Sequence, residues 1–412
     1  MAREGYFLSV IGGGPAGLFC AAKAAVKGRR IILLEKNDAP GRKLLMTGAG
    51  QCNITHEGDV ADFISHYGDN GKFLKPALMN FQNRDLVKFF GERGLPVTSE
   101  PGGRVFPAAR NAVKVLEVLQ KACASSKVEM KLGDPLLQIS RQENGFHLLT
   151  KSGELFSEKV VVATGGMTYP QTGSTGDGYA FARSLGHKVT ETGTALAPVI
   201  VKDHKMASLS GISFAEAVVS LHRGMKKLAE KSGDLLITHA GLSGPVILDI
   251  SRFIRKGDTI RASFVKGMSE AEMDALLLSR FRESGTRQVR KVLSVFGLPE
   301  RLVDKILDLA KIARDQTGAQ LSKESRLLLV EYLTGFPFVA SRLGGIEEAM
   351  VTRGGVALEE MSSRTMESRL VPGLYFIGEV LDMDGDTGGY NLQAAFSTAA
   401  LAARSIVHSW CK

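Results

Sequence analysis

Residues 6–36, YFLSVIGGGPAGLFCAAKAAVKGRRIILLEK, constrain the fold of this chain more than any other stretch. The apolar run at 6–11 predicts a buried strand, the glycine-rich turn leads into a helix, and the run at 30–35 predicts a second buried strand. This order is that of a β-α-β unit that binds a dinucleotide. The segment therefore predicts an α/β fold.

The glycines and the acid of this unit each have a physical reason. Gly12 allows the tight turn, Gly14 lets the backbone approach a pyrophosphate, and Gly17 lets the helix pack close to the strand. The free amides at the helix start favour the diphosphate. Glu35 stands at the spacing at which a carboxylate binds ribose hydroxyls. Pro15 makes the loop read GGGPAG, which is more typical of FAD proteins than of simple NAD dehydrogenases.

The next segment, GRKLLMTGAGQCNIT at 41–55, combines charge with small residues. Arg42 and Lys43 are candidates to meet phosphates. An ordinary surface turn is the alternative, because turn chemistry alone explains glycines. The small residues would let the backbone lie against a flat ring; they include Thr47, Gly48 and Gly50.

A third landmark is KVVVATGG at 159–166, which predicts a buried strand that returns the chain to the nucleotide. Its end places Ala163, Thr164 and Gly165 near the cofactor. Before it, FPAARNAVKVLEVLQKAC predicts a helix whose buried stripe includes Val113.

The last landmark is FIGEVLDMDGDTGGYNLQAAF. A strand at 374–377 ends on Gly378 and Glu379, and the acid is expected to meet the sugar-phosphate chain. A helix should begin near Leu392, and its unpaired amides, aimed at an isoalloxazine, would stabilise negative charge on the reduced ring. Its core-facing residues should be Leu392, Phe396, Ala399, Ala403, Ile406 and Trp410.

The two glycine-rich loops are thus expected to enclose one ligand, in an FAD domain that the chain enters twice. The predicted FAD domain comprises 1–190 and 356–412. The inserted chain is predicted to be β-rich at 191–268, a small helical domain at 269–325, and β-rich again at 326–355. No second G-x-G-x-x-G unit follows the first, so NAD(P)H would approach the flavin only transiently.

Composition narrows the class of protein. The net charge is +9, with basic clusters in HRGMKKLAEK and RFRESGTRQVRKVL. A solvated helical face is the favoured interpretation, and the lack of aromatic residues among these charges argues against a nucleic-acid partner. No run of about 18 apolar residues occurs, so no membrane span is expected. The start enters a strand at once, which leads us to expect a cytoplasmic protein.

The four cysteines, Cys20, Cys52, Cys123 and Cys411, show no metal-ligand spacing, and no metal is expected. Cys52 is either a reactive thiol or, as we favour, a small packed residue.

These motifs together resemble the bacterial BaiN-like NAD(P)/FAD-dependent oxidoreductases, a family that includes enzymes of the aminoacetone-oxidase type. The resemblance covers nearly the whole chain, and THAGLSGPVILD and GEVLDMDGDTGGYNLQAAF carry it most specifically. It implies a discontinuous FAD-binding Rossmann-like domain of the glutathione-reductase type, with an inserted β-barrel-like domain and a small helical domain. The family often has Arg where this chain has Gln51, which puts a phosphate or substrate role there in doubt.

The resemblance also implies non-covalent FAD contacts at matching positions. They fall on Gly12, Gly14, Pro15, Ala16, Glu35, Lys36, Arg42, Lys43, Gly50, Cys52, Asn53, Thr164, Gly165, Gly378, Asp384, Asn391 and Leu392.

The leading functional hypothesis is an FAD-dependent oxidoreductase that moves a hydride between flavin N5 and a small organic substrate. Alternatives are an amine oxidase that produces hydrogen peroxide, an RNA-associated flavoprotein, and a flavin redox sensor. Tyr169, His239 and Tyr390 are the candidate catalytic residues, with Ser243 beside His239 in THAGLSGP. The protein is expected to be a monomer or a homodimer.

Overall fold

The computed structural model describes residues 5–283 and 285–409. The chain forms two compact units. Unit 1 contains the described residues up to Ala195 and from Ile346 onward, and unit 2 is Leu196–Gly345. The chain therefore leaves unit 1 and returns to it. The five-segment division made from the sequence stays a prediction.

Unit 1 is built from strands and helices that alternate over its first half. Its strands are β1 (Gly5–Ile11), β2 (Ile31–Glu35), β3 (Thr55–His56), β4 (Val97–Ser99), β5 (Arg104–Pro107), β6 (Glu129–Leu132), β7 (Leu136–Gln142), β8 (Gly145–Thr150), β9 (Gly153–Val162), β10 (Gly193–Ala195), β17 (Val351–Arg353) and β18 (Leu374–Phe376). Its helices are α1 (Pro15–Lys23), α2 (Val60–Ser65), α3 (Gly71–Asn80), α4 (Asn83–Gly91), α5 (Ala112–Ser125), α6 (Asp177–Ser184) and α12 (Tyr390–His408).

The main sheet of unit 1 has seven strands in the order β6-β2-β1-β9-β8-β7, with β18 also paired to β9. Strand β1 runs parallel to β2, with Leu8 opposite Ile31, and parallel to β9, with Ile11 opposite Val162. Strand β18 runs parallel to β9, with Phe376 opposite Val162. The predicted β-α-β unit and the returning strand therefore share one sheet.

Helices α1 and α12 pack together through aromatic side chains. The ring of Phe19 on α1 lies 5.3 Å from that of Phe396 on α12, and 5.1 and 4.9 Å from those of Phe81 and Phe89. All four rings are buried, and edge-to-face contacts of this kind add to the burial of their area. The first and last helices of unit 1 are therefore neighbours in its core.

Unit 2 contains a closed six-stranded antiparallel barrel, which confirms the predicted β-barrel-like insertion. The strand order is β11-β14-β13-β12-β15-β16. The barrel strands are β11 (Val199–Val201), β12 (Ser213–Arg223), β13 (Lys226–Ile237), β14 (Gly241–Ser243), β15 (Thr259–Ser263) and β16 (Phe336–Leu343). The helices are α7 (Pro245–Ile250), α8 (Glu270–Glu283), α9 (Val289–Leu293), α10 (Glu300–Leu309) and α11 (Lys323–Thr334).

Three local predictions need correction. The basic stretch at 222–231 is not a helical face: it contains the end of β12, a two-residue turn and the start of β13. Val113 is exposed at 47%, and Val115 is buried in its place on α5. Helix α12 begins at Tyr390, two residues before the predicted start, and Trp410 lies outside the described residues.

Within residues 5–283 and 285–409, no helix combines the length and the apolar character that crossing a bilayer requires.

Candidate functional site

In the glycine-rich turn between β1 and α1, only Gly14 has room for a side-chain Cβ atom. Gly12 has φ +108°, and a Cβ there would lie 2.5 Å from the carbonyl oxygen of Ala163. A Cβ on Gly17 would lie 2.0 Å from the carbonyl oxygen of Gly12. Gly14 is extended, with φ −75° and ψ 179°, and no atom lies within 4 Å of its Cβ position. The fold requires glycine at 12 and 17, whereas at Gly14 the requirement would come from a ligand against the backbone.

Glu35 ends β2 beside this turn, and only 8% of it is exposed. The backbone N–H of Gly13 donates to Oε2 at 2.7 Å, and the backbone N–H and Nδ2 of Asn37 donate to Oε1 at 2.8 Å each. These donors fix the carboxylate; Oε1 accepts two hydrogen bonds and Oε2 only one, so Oε2 keeps acceptor capacity for a ribose hydroxyl.

The cations near the turn already have partners. Lys36 donates to Asp177 Oδ2 at 2.6 Å and to Thr175 Oγ1 at 2.5 Å. Arg42 forms an ion pair with Asp38. An anionic ligand would therefore share these cations with carboxylates or displace them.

Lys43 and Glu379 form an ion pair with side chains 23% and 22% exposed. Lys43 Nζ also donates to Thr168 Oγ1 at 2.8 Å, and the backbone N–H of Thr352 donates to Glu379 Oε1 at 2.9 Å. The carboxylate of Glu379 is therefore held inside the protein by a cation and an amide.

The chain after β9 turns beside the glycine-rich loop, where the N–H of Ala163 donates to the carbonyl of Ile11 at 2.8 Å. Thr164 Oγ1 is buried and has no hydrogen-bond partner among the described residues. Buried polar atoms normally have a partner, so this hydroxyl on the cleft wall fits a ligand that supplies one.

The start of α12 is shaped by two glycines and an asparagine. Gly388 and Gly389 have φ +112° and +100°, and a Cβ on Gly389 would lie 2.4 Å from the carbonyl oxygen of Thr55. Asn391 closes the preceding loop: its Oδ1 accepts from Gly385 N at 2.8 Å and its Nδ2 donates to the carbonyl of Gly385 at 2.9 Å. No side chain caps the first turn. Amides in the first turn of a helix have no partner within the helix, which makes those of Asn391 and Leu392 candidates to bind a ligand.

Tyr390 lies between two histidine rings. Its ring stacks on that of His66 at 3.9 Å with an interplanar angle of 17°, and on that of His56 at 5.0 Å and 19°. His66 Nδ1 lies 3.0 Å from Asp386 Oδ2, and the hydroxyl of Tyr67 donates to the carbonyl of Tyr390 at 2.8 Å. Burial raises the pKa of Tyr67 well above its ordinary value, so this phenol stays a donor.

A cleft of about 1420 Å³, including space open to solvent, runs along these elements of unit 1. Both glycine-rich loops line it, since Gly14 and Asn391 are both on its wall. The sequence-predicted residues that line it are Gly12, Gly14, Pro15, Ala16, Glu35, Lys36, Arg42, Lys43, Thr47, Ala163, Thr164, Gly165, Gly378, Glu379, Asn391 and Leu392.

Several predicted cofactor contacts are not on the cleft wall. Gly17 packs α1 against β1, and Gly48 and Gly50 take φ +56° and +86° in a tight turn. Close packing at Gly17 and positive φ at Gly48 and Gly50 are therefore enough to explain glycine at these three positions. Burial raises the pKa of the Cys52 thiol to about 12, which fits the small packed residue rather than the reactive thiol. The others off the wall are Asn53, whose Oδ1 is buried without a partner among the described residues, and Asp384.

The three predicted catalytic residues lie in different segments of the chain, two in unit 1 and one in unit 2. Tyr390 adjoins the cleft through Asn391. Tyr169 is half-buried at a left-handed φ of 54°, and burial raises its pKa. His239 is exposed in unit 2, in the turn between β13 and β14, close in sequence to Ser243. None of the three lines the cleft.

Sequence reasoning missed part of the cleft wall. The cleft wall includes Gly173, Ser174 and Asp177 of the segment GSTGDG. Its combination of glycines with an acidic residue could have identified it as a ligand-binding loop. Tyr67 and Met350 carry no local signal, because only the fold brings them to the cleft.

Comparison with known proteins agrees with this geometry. The HI0933-like protein Rossmann domain matches residues 7–405. The chain is 32% identical over 97% of its length to the ribosomal RNA dihydrouridine synthase of Escherichia coli strain K12, covering 97% of that protein. It is 33% identical over 96% of its length to the same-named protein of Haemophilus influenzae, covering 97% of it. It is 30% identical over 97% of its length to the 3-dehydro-bile acid delta(4,6)-reductase of Clostridium scindens, covering 98% of it.

Solved structures show the same fold at low identity. The 3-ketosteroid-delta4-(5alpha)-dehydrogenase of Rhodococcus jostii RHA1 aligns with a TM-score of 0.54 and 13% identity, over 98% of this chain and 97% of that one. The 3-ketosteroid delta1-dehydrogenase of Sterolibacterium denitrificans aligns with a TM-score of 0.54 and 14% identity, over 98% and 100%. The predicted Rossmann-type FAD-binding fold is confirmed, and the chain belongs to the HI0933-like family of FAD-dependent oxidoreductases.

Proposed function

We propose that the protein reduces a carbon–carbon double bond conjugated to a carbonyl group, using FAD that transiently bound NAD(P)H has reduced. FAD, when bound, supplies the hydride. The observation that carries the proposal is the single cleft lined by both Gly14 and Asn391. The relatives' names share this chemistry, because uracil and an unsaturated 3-oxo steroid both carry such a bond.

The chain's own residues fit FAD along this cleft. The turn at Gly12 and Gly14 would hold the diphosphate with the amides of α1. Glu35 would bind the adenosine ribose, and the amides of Asn391 and Leu392 at the start of α12 would face the flavin ring. The cofactor contacts predicted from the sequence are proposed as a set on this basis.

Reduction of a conjugated double bond needs a proton donor in the chain. Hydride adds to the β carbon, the electron pair moves toward the carbonyl oxygen, and a proton must then reach the α carbon. Tyr390 is our first candidate, because it adjoins cleft residues and its ring is fixed by His56 and His66. Tyr169, whose raised pKa keeps it protonated, is the second, and His239 the third.

The substrate we favour is a uridine within RNA rather than a small enone. Two of the three relatives described above are named for an RNA reaction, and unit 2 is rich in basic residues. This proposal differs from the sequence-based expectation, which favoured a small-molecule substrate over a nucleic acid and kept an RNA-associated flavoprotein as an alternative. A cytoplasmic location and a monomeric or dimeric state stay predictions.

Anaerobic stopped-flow tests the electron donor. Bleaching of the flavin by NADH or NADPH within the turnover time supports the reductase, and no bleaching by either overturns the NAD(P)H proposal. Bleaching by an amine, followed by rapid reoxidation in air with peroxide release, would favour the oxidase instead.

Nucleoside mass analysis tests the substrate. The reduced holoenzyme is incubated with unmodified RNA or with an unsaturated 3-oxo steroid. Mass spectrometry then shows whether each product has gained two hydrogen atoms. Reduction of RNA alone supports the proposal, whereas reduction of the steroid alone replaces the RNA substrate with a small enone.

A further inference from the structure

Most of the net positive charge of this protein lies in unit 2. Residues 196–345 contain 23 Lys and Arg and 16 Asp and Glu, a net charge of +7 out of +9 for the whole chain. Excess cationic charge of this kind favours partners with a phosphate backbone.

This charge is concentrated where barrel strands end. Residues 223–227 contain the end of β12, the turn and the start of β13, and residues 252–258 lead into β15; we call these two segments the basic rim. Together they contain six Lys and Arg and one carboxylate, Asp258. The pairing of His222 with Thr259 places the two segments side by side.

The single carboxylate of the basic rim is buried and already bonded. Asp258 accepts from Arg223 Nε at 2.9 Å and Nη2 at 2.8 Å, and from the backbone N–H of Arg255 at 2.8 Å. Lys226, Arg255 and Lys256 are exposed and form no ion pair within the described residues. Burial lowers the pKa of His222, and the charges of Arg261 and Lys227 lower it further, against the opposing effect of Glu230.

The basic rim also carries exposed apolar side chains. Phe253 is 52% exposed between Arg252 and Arg255, and Met225, at the turn, is fully exposed. The carbonyl of Phe253 accepts from Arg223 Nη2 at 3.1 Å, which attaches the loop to the hairpin. An exposed ring among cations can stack on a nucleobase while its neighbours bind phosphates.

We propose that the basic rim is the surface through which this protein binds RNA, with Phe253 stacking on an unpaired base. The cations Lys226, Arg255 and Lys256 contact the backbone phosphates. This inference rests on the proposed RNA substrate and names the part of the chain that recognises it.

The test uses full-length holoprotein and a fluorescein-labelled, uridine-rich RNA of about 20 nucleotides, long enough for a single-strand site. Anisotropy is measured over a salt series. Lys226→Glu/Lys256→Glu should weaken binding at least tenfold and lower the slope of log affinity against log salt by about two. Phe253→Ala should weaken binding by about tenfold, the effect of one lost base stack, with little change in slope.

The matched control is Lys72→Glu/Lys75→Glu, which makes the same charge change at two exposed positions on α3 of unit 1. It should keep RNA affinity within about twofold, since distant exposed charges are screened. FAD content and NAD(P)H-driven bleaching, measured on every variant, should match the wild type.

Three results overturn the inference: wild-type RNA affinity in the rim double variant, equal weakening by the control, or binding of the wild type to phosphatidylglycerol vesicles but not to RNA. Dihydrouridine formation separates the two proposals. RNA binding through the rim without dihydrouridine overturns the proposed function and supports the surface. Dihydrouridine formed by the rim variants at an unchanged KM overturns the surface and supports the function.

Discussion

The ammonium of Lys43 lies 2.9 and 2.8 Å from the two carboxylate oxygens of Glu379, which follows it by 336 positions. Lys43 stands in the loop after β2, and Glu379 comes three residues after the end of β18. The ion pair therefore joins the two separate parts of the chain that form unit 1. Both groups are more than three-quarters buried, so solvent screens them less than an exposed pair.

Lys43→Met should lower the free energy of unfolding of the apoprotein by about 1–2 kcal/mol, because the carboxylate of Glu379 is left half-enclosed without its cation. Adding Glu379→Gln should recover part of that loss, as expected for coupled groups. Urea denaturation of apoprotein measures both. Lys114→Met, which removes an exposed pair with Glu117, should cost less than about 0.5 kcal/mol. Equal losses at Lys43 and Lys114 would contradict the structural role of the buried pair.

Gly14 and Gly17 should respond differently to alanine. Gly14→Ala places its methyl group in open space, so the apoprotein should keep its melting temperature while FAD affinity falls at least tenfold. Gly17→Ala meets the carbonyl of Gly12 at 2.0 Å and should destabilise the apoprotein by about 1–3 kcal/mol. Thermal melting without FAD and a flavin-fluorescence titration measure the two effects. Unchanged FAD affinity in Gly14→Ala would contradict the proposal that this turn binds the diphosphate of FAD.

The parts of the fold that sequence predicted best are those where one local requirement dominates. Strand β1 was predicted at 6–11 and is Gly5–Ile11, because a buried parallel strand needs an unbroken apolar run. Helix α12 was placed two residues late. Its start depends on Gly388 and Gly389, which take positive φ, and glycine in a loop does not show where that loop ends.

Other features depend on contacts that no local pattern contains. The glycines at 48 and 50 suggested a ligand, and they take positive φ in a turn; turn chemistry alone explains such glycines, so sequence cannot separate these two uses of glycine. The basic stretch at 222–231 was predicted to be a helical face, because a cluster of charged residues does not by itself distinguish a helix from a β-hairpin. Phe253 lies 22 positions beyond the end of that stretch, and barrel pairing and a hydrogen bond from Arg223 bring it there.

Cys52 predicts a loss of stability at alkaline pH. Burial raises its pKa from 9.0 to about 12 in the folded protein. The stability it contributes is fully present below about pH 9 and is lost as the pH rises toward 12, because only the unfolded thiol ionises. Between about pH 8 and about pH 10, wild type should lose about 1–1.5 kcal/mol more than Cys52→Ser. Urea denaturation under reducing conditions measures this difference, and parallel profiles for the two proteins would show that the thiol ionises in the folded state.

Tyr390→Phe tests proton transfer while preserving the stacked rings. The substituted ring can still lie between His56 and His66, and the carbonyl of residue 390 can still accept from Tyr67. Turnover of the reducible substrate should fall by about 10²–10⁴, the usual contribution of a general acid. FAD content and flavin bleaching by NAD(P)H should not change, because neither needs the hydroxyl. Single-turnover reoxidation by substrate isolates the step, with Tyr169→Phe and His239→Ala measured beside it. A wild-type rate in Tyr390→Phe, with a large loss in either of the other two, would transfer the role of proton donor to that residue.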